Sequence, residues 1–167
     1  VAATRDALAA TLDADDAAHA TPAPAAPAAH IQEVLPAYRD LYEQNPDLIG
    51  WLRIDGTDID LPVVQTPGDN EYYLRRGFDR FYAVGGTLFL DERCSVGPDA
   101  PTDNWLIYGH NMRDGSMFAV LNQYDGQPYF DTHRQMYLVT PTGGYVMEIF
   151  SAFAAKPAES GSDTSPW

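Results

Sequence analysis

The chain has a single cysteine, Cys94, among 167 residues. An internal disulfide is excluded, so the fold must be held by its core alone. Cationic residues are scarce too: 10 Lys and Arg stand against 24 Asp and Glu, a formal net charge of −14. A nucleic-acid binder neutralises phosphates with cationic side chains, and this balance excludes that class. It also excludes charge-driven docking on an anionic membrane surface. No apolar run approaches the ~18–20 residues of a membrane span. No basic-then-apolar leader opens the chain, which starts Val1-Ala2-Ala3-Thr4 rather than with Met. We therefore expect a processed form or fragment, with any membrane anchor lying outside this sequence. Residues 1–30 contain no Phe, Trp, Tyr, Ile or Met, so the core must come from residue 31 onward.

What is present after that point is ample for a core: 7 Phe, 10 Tyr and 3 Trp. The stretch Thr21-Pro22-Ala23-Pro24-Ala25-Ala26-Pro27 reads as a Pro/Ala linker, and residues 1–30 as a flexible tail or stalk. Ile31, Val34, Leu35, Tyr38, Leu41 and Tyr42 recur at helical spacing, with Pro36 at a kink or first turn and Asn45-Pro46-Asp47 ending the helix. Strands are expected at Ile49–Ile54 and Ile59–Gln65, joined by the turn Asp55-Gly56-Thr57. Further strands are expected at Gly86–Leu90, Asn104–Tyr108, Gln135–Thr140 and Tyr145–Ala154, with Pro141-Thr142-Gly143-Gly144 as a connecting turn. Short helices are expected at Glu71–Arg76 and Ser116–Tyr124. Many short strands and few helices predict a mainly β domain, a barrel or sandwich, over residues 31–156. Residues 157–167 read as an unstructured tail.

The candidate chemistry centres on Asn104-Trp105-Leu106-Ile107-Tyr108-Gly109-His110. A strand ends in a glycine and then a histidine, at the mouth of a sheet. An imidazole, with its reference pKa of ~6.5, exchanges protons near neutrality. His19, His30 and His133 sit in tail or turn contexts and are assigned no role. Such a histidine normally serves a nucleophile, yet no cysteine follows it. Cys94 reads as an incidental residue at the start of a loop, with Arg93 beside it but Asp91 and Glu92 opposing a thiolate. Ser116 is the other candidate nucleophile, for a hydrolase of unrelated type. Metal-ligand spacings are absent, Asp99 and Asp103 read as a solvated loop, and the Gly85-Gly86 and Gly143-Gly144 pairs read as turns rather than a phosphate cradle. No metal and no cofactor is expected.

Five segments, in this order, resemble the class B sortases. They are Asn45–Ile54 leading into Leu61-Pro62-Val63-Val64-Gln65; Asp69-Asn70-Glu71-Tyr72-Tyr73-Leu74; Gly86-Thr87-Leu88-Phe89-Leu90-Asp91; Ile107-Tyr108-Gly109-His110-Asn111-Met112; and Asp114-Gly115-Ser116-Met117-Phe118. The resemblance implies a sortase-like β-barrel with an N-terminal helix. It implies a cysteine transpeptidase on the outer surface of a Gram-positive bacterium, membrane-anchored in its full-length form. Such an enzyme cleaves a sorting motif near the C-terminus of secreted proteins and joins them to a peptidoglycan or pilin amine. It makes His110 the catalytic histidine, and Asn70 and Leu74 lining residues of the substrate groove. The family's nucleophilic cysteine, in a Thr-Cys pair on a late strand, and its arginine on the next strand have no counterpart here. The barrel is therefore expected to lack its last strands and the chain to be inactive alone. The alternative is a non-catalytic, sortase-like surface domain that binds peptide or protein, with Tyr72, Tyr73 and Trp105 as aromatic anchors.

Overall fold

A computed structural model describes residues 36–97, 101–141 and 143–155. The two expected tails, residues 31–35 of the expected helix, and Asp99 lie outside the described residues. Helix α1 spans Pro36–Gln44. Pro36 occupies its first position, where the missing N–H leaves no intrahelical bond unmade. Tyr38 and Leu41, one turn apart, are buried against Leu48, Trp51, Tyr137 and Val139.

Six strands follow: β1 (Leu48–Arg53), β2 (Asp60–Val64), β3 (Leu88–Leu90), β4 (Ile107–Tyr108), β5 (Gln135–Thr140) and β6 (Gly143–Glu148). They form one sheet in the order β4-β3-β2-β1-β5-β6. All neighbours are antiparallel except β2 and β3, which run parallel. That parallel step needs a crossover, and the crossover carries a 3-10 helix at Tyr72–Arg75. A second 3-10 helix (Phe118–Asp125) and the short helix α2 (Gln127–Thr132) connect β4 to β5.

The sheet is curled. Flat, at about 4.8 Å per strand, it would hold β4 and β6 about 24 Å apart. Instead the rings of Trp105, just before β4, and Tyr145, on β6, meet edge to face with centroids 4.8 Å apart. Strand alternation then assigns two faces. Leu52, Ile54, Val63, Leu88, Leu90 and Leu138 fill the concave interior. Val64, Phe89 and Tyr73 form a cluster on the convex side, with Tyr108 packed against it. The described residues are thus mainly β with α1 at the N-terminal side, and the barrel is present as an open half-barrel. Among the described residues β4 and β6 are its edges.

Some expectations shift. Gly143 and Gly144 belong to β6, paired with Thr140 and Val139, rather than to the turn. β3 starts at Leu88 because Gly86 takes a positive φ of 61°. The Thr87 N–H is drawn off to the carbonyl of Tyr73. β6 ends at Glu148 rather than Ala154, and Phe150 and Phe153 beyond it are exposed. Helix α2 was not anticipated: six residues hold too little periodicity to show, and Pro128 near its start was the sole cue.

The crossover is anchored by a buried polar clamp. The Asn45 amide donates to Tyr73 Oη (2.8 Å) and to the Phe78 carbonyl (2.9 Å), and its Oδ1 accepts from Asp47 N–H (3.0 Å) and Arg80 (2.9 Å). Tyr73 donates to Asp47 at 2.7 Å. Truncating Asn45 leaves the Asp47 N–H and the Phe78 carbonyl without their partner, at roughly 1–3 kcal/mol for each where it is buried. Asn45→Ala is therefore expected to lower the melting temperature by about 8 °C or more, read by thermal denaturation followed by circular dichroism.

Candidate functional site

The 3-10 helix Tyr72–Arg75 overhangs the convex face of β3 and β4 and leaves a cleft of about 300 Å³. Asn70, Glu71, Leu74, Phe89, Tyr108, Gly109 and His110 line it. The three residues singled out from sequence, Asn70, Leu74 and His110, are thus brought to one place. They come from segments about 36–40 positions apart in the chain (110 − 74 and 110 − 70).

His110 emerges directly from the end of β4 and is half-buried. Gly109 explains its placement. A Cβ there would lie 2.5 Å from both Leu88 Cδ2 and Phe118 Cδ2, so only hydrogen lets the strand press this close to the core. Beyond it, Phe118 N–H donates to the His110 carbonyl at 2.9 Å. Asn111 bridges to Met117, and the Asn111 and Asn122 side-chain amides bond each other at 3.1 and 3.2 Å. The backbone of His110 is therefore held on both sides. Among the described residues no side chain hydrogen-bonds its imidazole, which leaves both ring nitrogens open for chemistry.

The cleft's floor and flank are set by Asp91-Glu92-Arg93, which follows β3. The Asp91 carboxylate is buried yet surrounded by donors: Arg93 Nε at 2.8 Å, Arg93 Nη2 at 3.0 Å, Arg93 N–H at 2.9 Å and Tyr108 Oη at 2.9 Å. The Arg93 bonds, with a smaller part from Tyr108, hold its carboxyl well below the usual carboxylate range. Burial, and then the bond to Asp91, push the Tyr108 hydroxyl upward. Tyr108 therefore stays a neutral donor with its ring fixed, 5.0 Å from the Phe89 ring. Next door, Glu92 N–H donates to Asn70 Oδ1 at 2.9 Å, and Glu92 Oε2 accepts from Gly68 N–H at 3.1 Å. Because Oδ1 is engaged, the Asn70 amide presents its N–H donors to an incoming ligand.

Other candidates fall elsewhere. Cys94 packs against the concave core and its sulfur accepts from Leu106 N–H at 3.5 Å, on the side of the sheet away from His110's cleft. The Ser116 hydroxyl donates to Asp114 at 2.6 Å, not to a histidine. His133 stacks on Tyr129 at 4.0 Å, and its Nδ1 lies 2.9 Å from the Tyr129 carbonyl. The suggested aromatic anchors need correction. Tyr73 is buried with its hydroxyl in the clamp, and Trp105 packs toward the interior. The aromatic walls are instead Phe89 and Tyr108, a consequence of alternation on two short strands. A second hollow, about 410 Å³ over Arg53–Leu61, contains neither histidine nor cysteine. Among the described residues no group of three or more His, Cys, Asp or Glu is placed to hold a metal ion.

No family model matches the chain. Individual proteins do. The chain is 38% identical over 121 residues to sortase B of Listeria monocytogenes, covering 72% of this chain and 48% of that protein. A Bacillus anthracis crystal structure described as similar to sortase B superposes with a TM-score of 0.67 at 36% identity, over 72% of this chain and 55% of that one. The Staphylococcus aureus sortase B–substrate complex superposes with a TM-score of 0.65 at 32% identity, over 71% and 53%. The half-barrel with its histidine at the end of an edge strand has the architecture of a sortase. Within that class, the chain belongs to the class B sortase family. It spans about half the length of the curated relatives it matches.

Two measurements test this geometry. Gly109→Ala forces a methyl into the contact with Leu88 and Phe118 and is expected to cost about 1–3 kcal/mol of stability, read by urea denaturation. Asp91 has its folded pKa below its unfolded ~3.9, so the stability it contributes is present above that value and lost as pH falls through the folded one. The melting temperature of the wild type is therefore expected to drop more steeply below about pH 5 than that of Asp91→Asn.

Proposed function

We propose that the cleft over β3 and β4 is the sorting-peptide groove of a sortase-type transpeptidase, and that this chain supplies the groove and the histidine. The observation that supports it best is the convergence of Asn70, Leu74 and His110 on one cleft. The apolar walls of Leu74, Phe89 and Tyr108 suit a peptide side chain. The free Asn70 N–H donors suit a backbone or side-chain carbonyl.

In this reading a thiolate attacks the scissile carbonyl of the bound peptide and pushes its electrons onto oxygen. A guanidinium steadies that oxyanion. Collapse expels the amine, which takes its proton from His110 and leaves a thioester. An acceptor amine of peptidoglycan or a pilin then attacks the thioester, gives its proton to His110, and expels the thiolate, which restores the starting state. The thiol and guanidinium are assigned to a segment outside this sequence that adds along the β4 edge, next to His110. Cys94 is not the nucleophile, because it faces the concave core. The site works outside the cytoplasm, at the surface of a Gram-positive bacterium.

The purified 167-residue chain, incubated with sorting-type peptides, is expected to release no amine and to form no thioester adduct by intact mass spectrometry. Turnover that disappears in Cys94→Ala would overturn the assignment. In a longer form carrying the thiol strand, His110→Ala is expected to lower transpeptidation by roughly 10²–10⁴-fold.

A further inference from the structure

Two non-glycine residues take a positive φ among the described residues, Arg80 at 68° and Met117 at 56°. At Arg80 the clamp holds the strain, since its guanidinium meets Asn45 and Asp47. Met117 has φ 56° and ψ −129°, a backbone that glycine adopts freely and other residues only where their surroundings impose it. The segment that follows His110 shows what imposes it. The chain folds back on itself there: Asn111 bridges to Met117, and Phe118 N–H donates to the His110 carbonyl at 2.9 Å. Between them the chain is turned by Gly115, at φ 88°, and by Asp114, which accepts from Ser116 N–H at 3.0 Å. The Met117 side chain packs against the concave core and lies over Gly85. A Cβ on that glycine would stand 3.3 Å from Met117 Cγ and 3.7 Å from Met112 Sδ. Gly85 ends the same crossover whose 3-10 helix roofs the cleft. Met117 is thus tied twice, by its own side chain to the crossover and by the next N–H to the histidine. An unstrained backbone at this residue would break one of the two ties.

We infer that Met117 is a positioning residue for His110: its side chain, seated over Gly85, holds the strained turn that aims Phe118 N–H at the His110 carbonyl and so ties the histidine to the cleft roof. This inference rests on the reading of His110 as the proton donor to the leaving amine. That amine departs from one place in the cleft, and an imidazole displaced by about 1 Å loses much of its effect. Peptide binding draws on Asn70, Leu74, Phe89 and Tyr108 instead. The effect of Met117 therefore falls on kcat rather than on KM.

The test compares Met117→Leu, Met117→Ala and Met117→Gly. In the 167-residue chain the Gly variant is expected to melt above the Ala variant, because glycine takes a φ of 56° without strain. Exchange of the Phe118 amide hydrogen, followed by NMR, is expected to quicken about tenfold or more in both. Met117→Leu keeps the bulk over Gly85 and is expected to stay within about twofold of the wild type. In a longer form carrying the thiol strand, the Ala and Gly variants are expected to lower kcat by roughly 10- to 100-fold at unchanged KM, and the Leu variant to restore it. A Gly variant with the kcat of the wild type, a loss confined to KM, or an Ala variant that melts above the Gly variant overturns the role of Met117 and leaves His110 as the proton donor. His110→Ala in the same longer form separates the two readings. If it turns over as fast as the wild type, the reading of His110 falls, and the inference with it.

Discussion

A buried carboxylate cannot stay ionised without donors around it, and Asp91 is that carboxylate here. It lies where β3 runs out, and three kinds of group meet it: a guanidinium, a backbone N–H and a phenol. Its own N–H donates to the Leu106 carbonyl at 2.9 Å, which aligns the approach to β4. From this point the cleft is set in two directions. Tyr108 is pinned as one of its walls, and through the next residue Asn70 is pinned as its flank. A two-residue strand such as β4 has little sheet bonding of its own. These side-chain bonds, with the Gly109 contact, supply the missing definition and so fix where His110 starts.

The curl of the sheet separates structure from chemistry. The concave side is packed with aliphatic side chains and takes Cys94 into its wall, whereas the convex side under the 3-10 helix stays open and polar at its rim. Because His110 follows an edge strand, its outer flank is open among the described residues. The Asn45–Tyr73–Asp47–Arg80 clamp does the corresponding work for the overhanging helix. Cleft roof and cleft floor are thus each held by one buried polar group with all its partners present.

How much of this was legible beforehand varies with the range of the interaction. The position of His110 just past a strand end could be read from local pattern alone, since a strand, a glycine and a histidine are consecutive. The amphipathic spacing of Tyr38 and Leu41 and the turn at Gly56 were likewise local. Asn70 and Leu74 came from the likeness to class B sortases, because nothing around them marks a groove. The Asp91–Tyr108 and Glu92–Asn70 bonds span 17 and 22 positions, and no periodicity announces a pairing at that distance. Tyr73 was misjudged because an aromatic near a groove and one buried beneath it look the same in sequence. The Gly143-Gly144 pair was misjudged because its residues suit a turn, although cross-strand pairing to β5 decides the matter.

In the proposed reading, peptide binds on the convex face beside His110. A crystal structure of the chain with a sorting-type peptide bound tests it most directly. The peptide is expected under the 3-10 helix, with a side chain against Leu74, Phe89 and Tyr108, a carbonyl within hydrogen-bond reach of the Asn70 amide, and the scissile region next to His110. A peptide seated instead in the hollow over Arg53–Leu61, or on the concave side near Cys94, would contradict it.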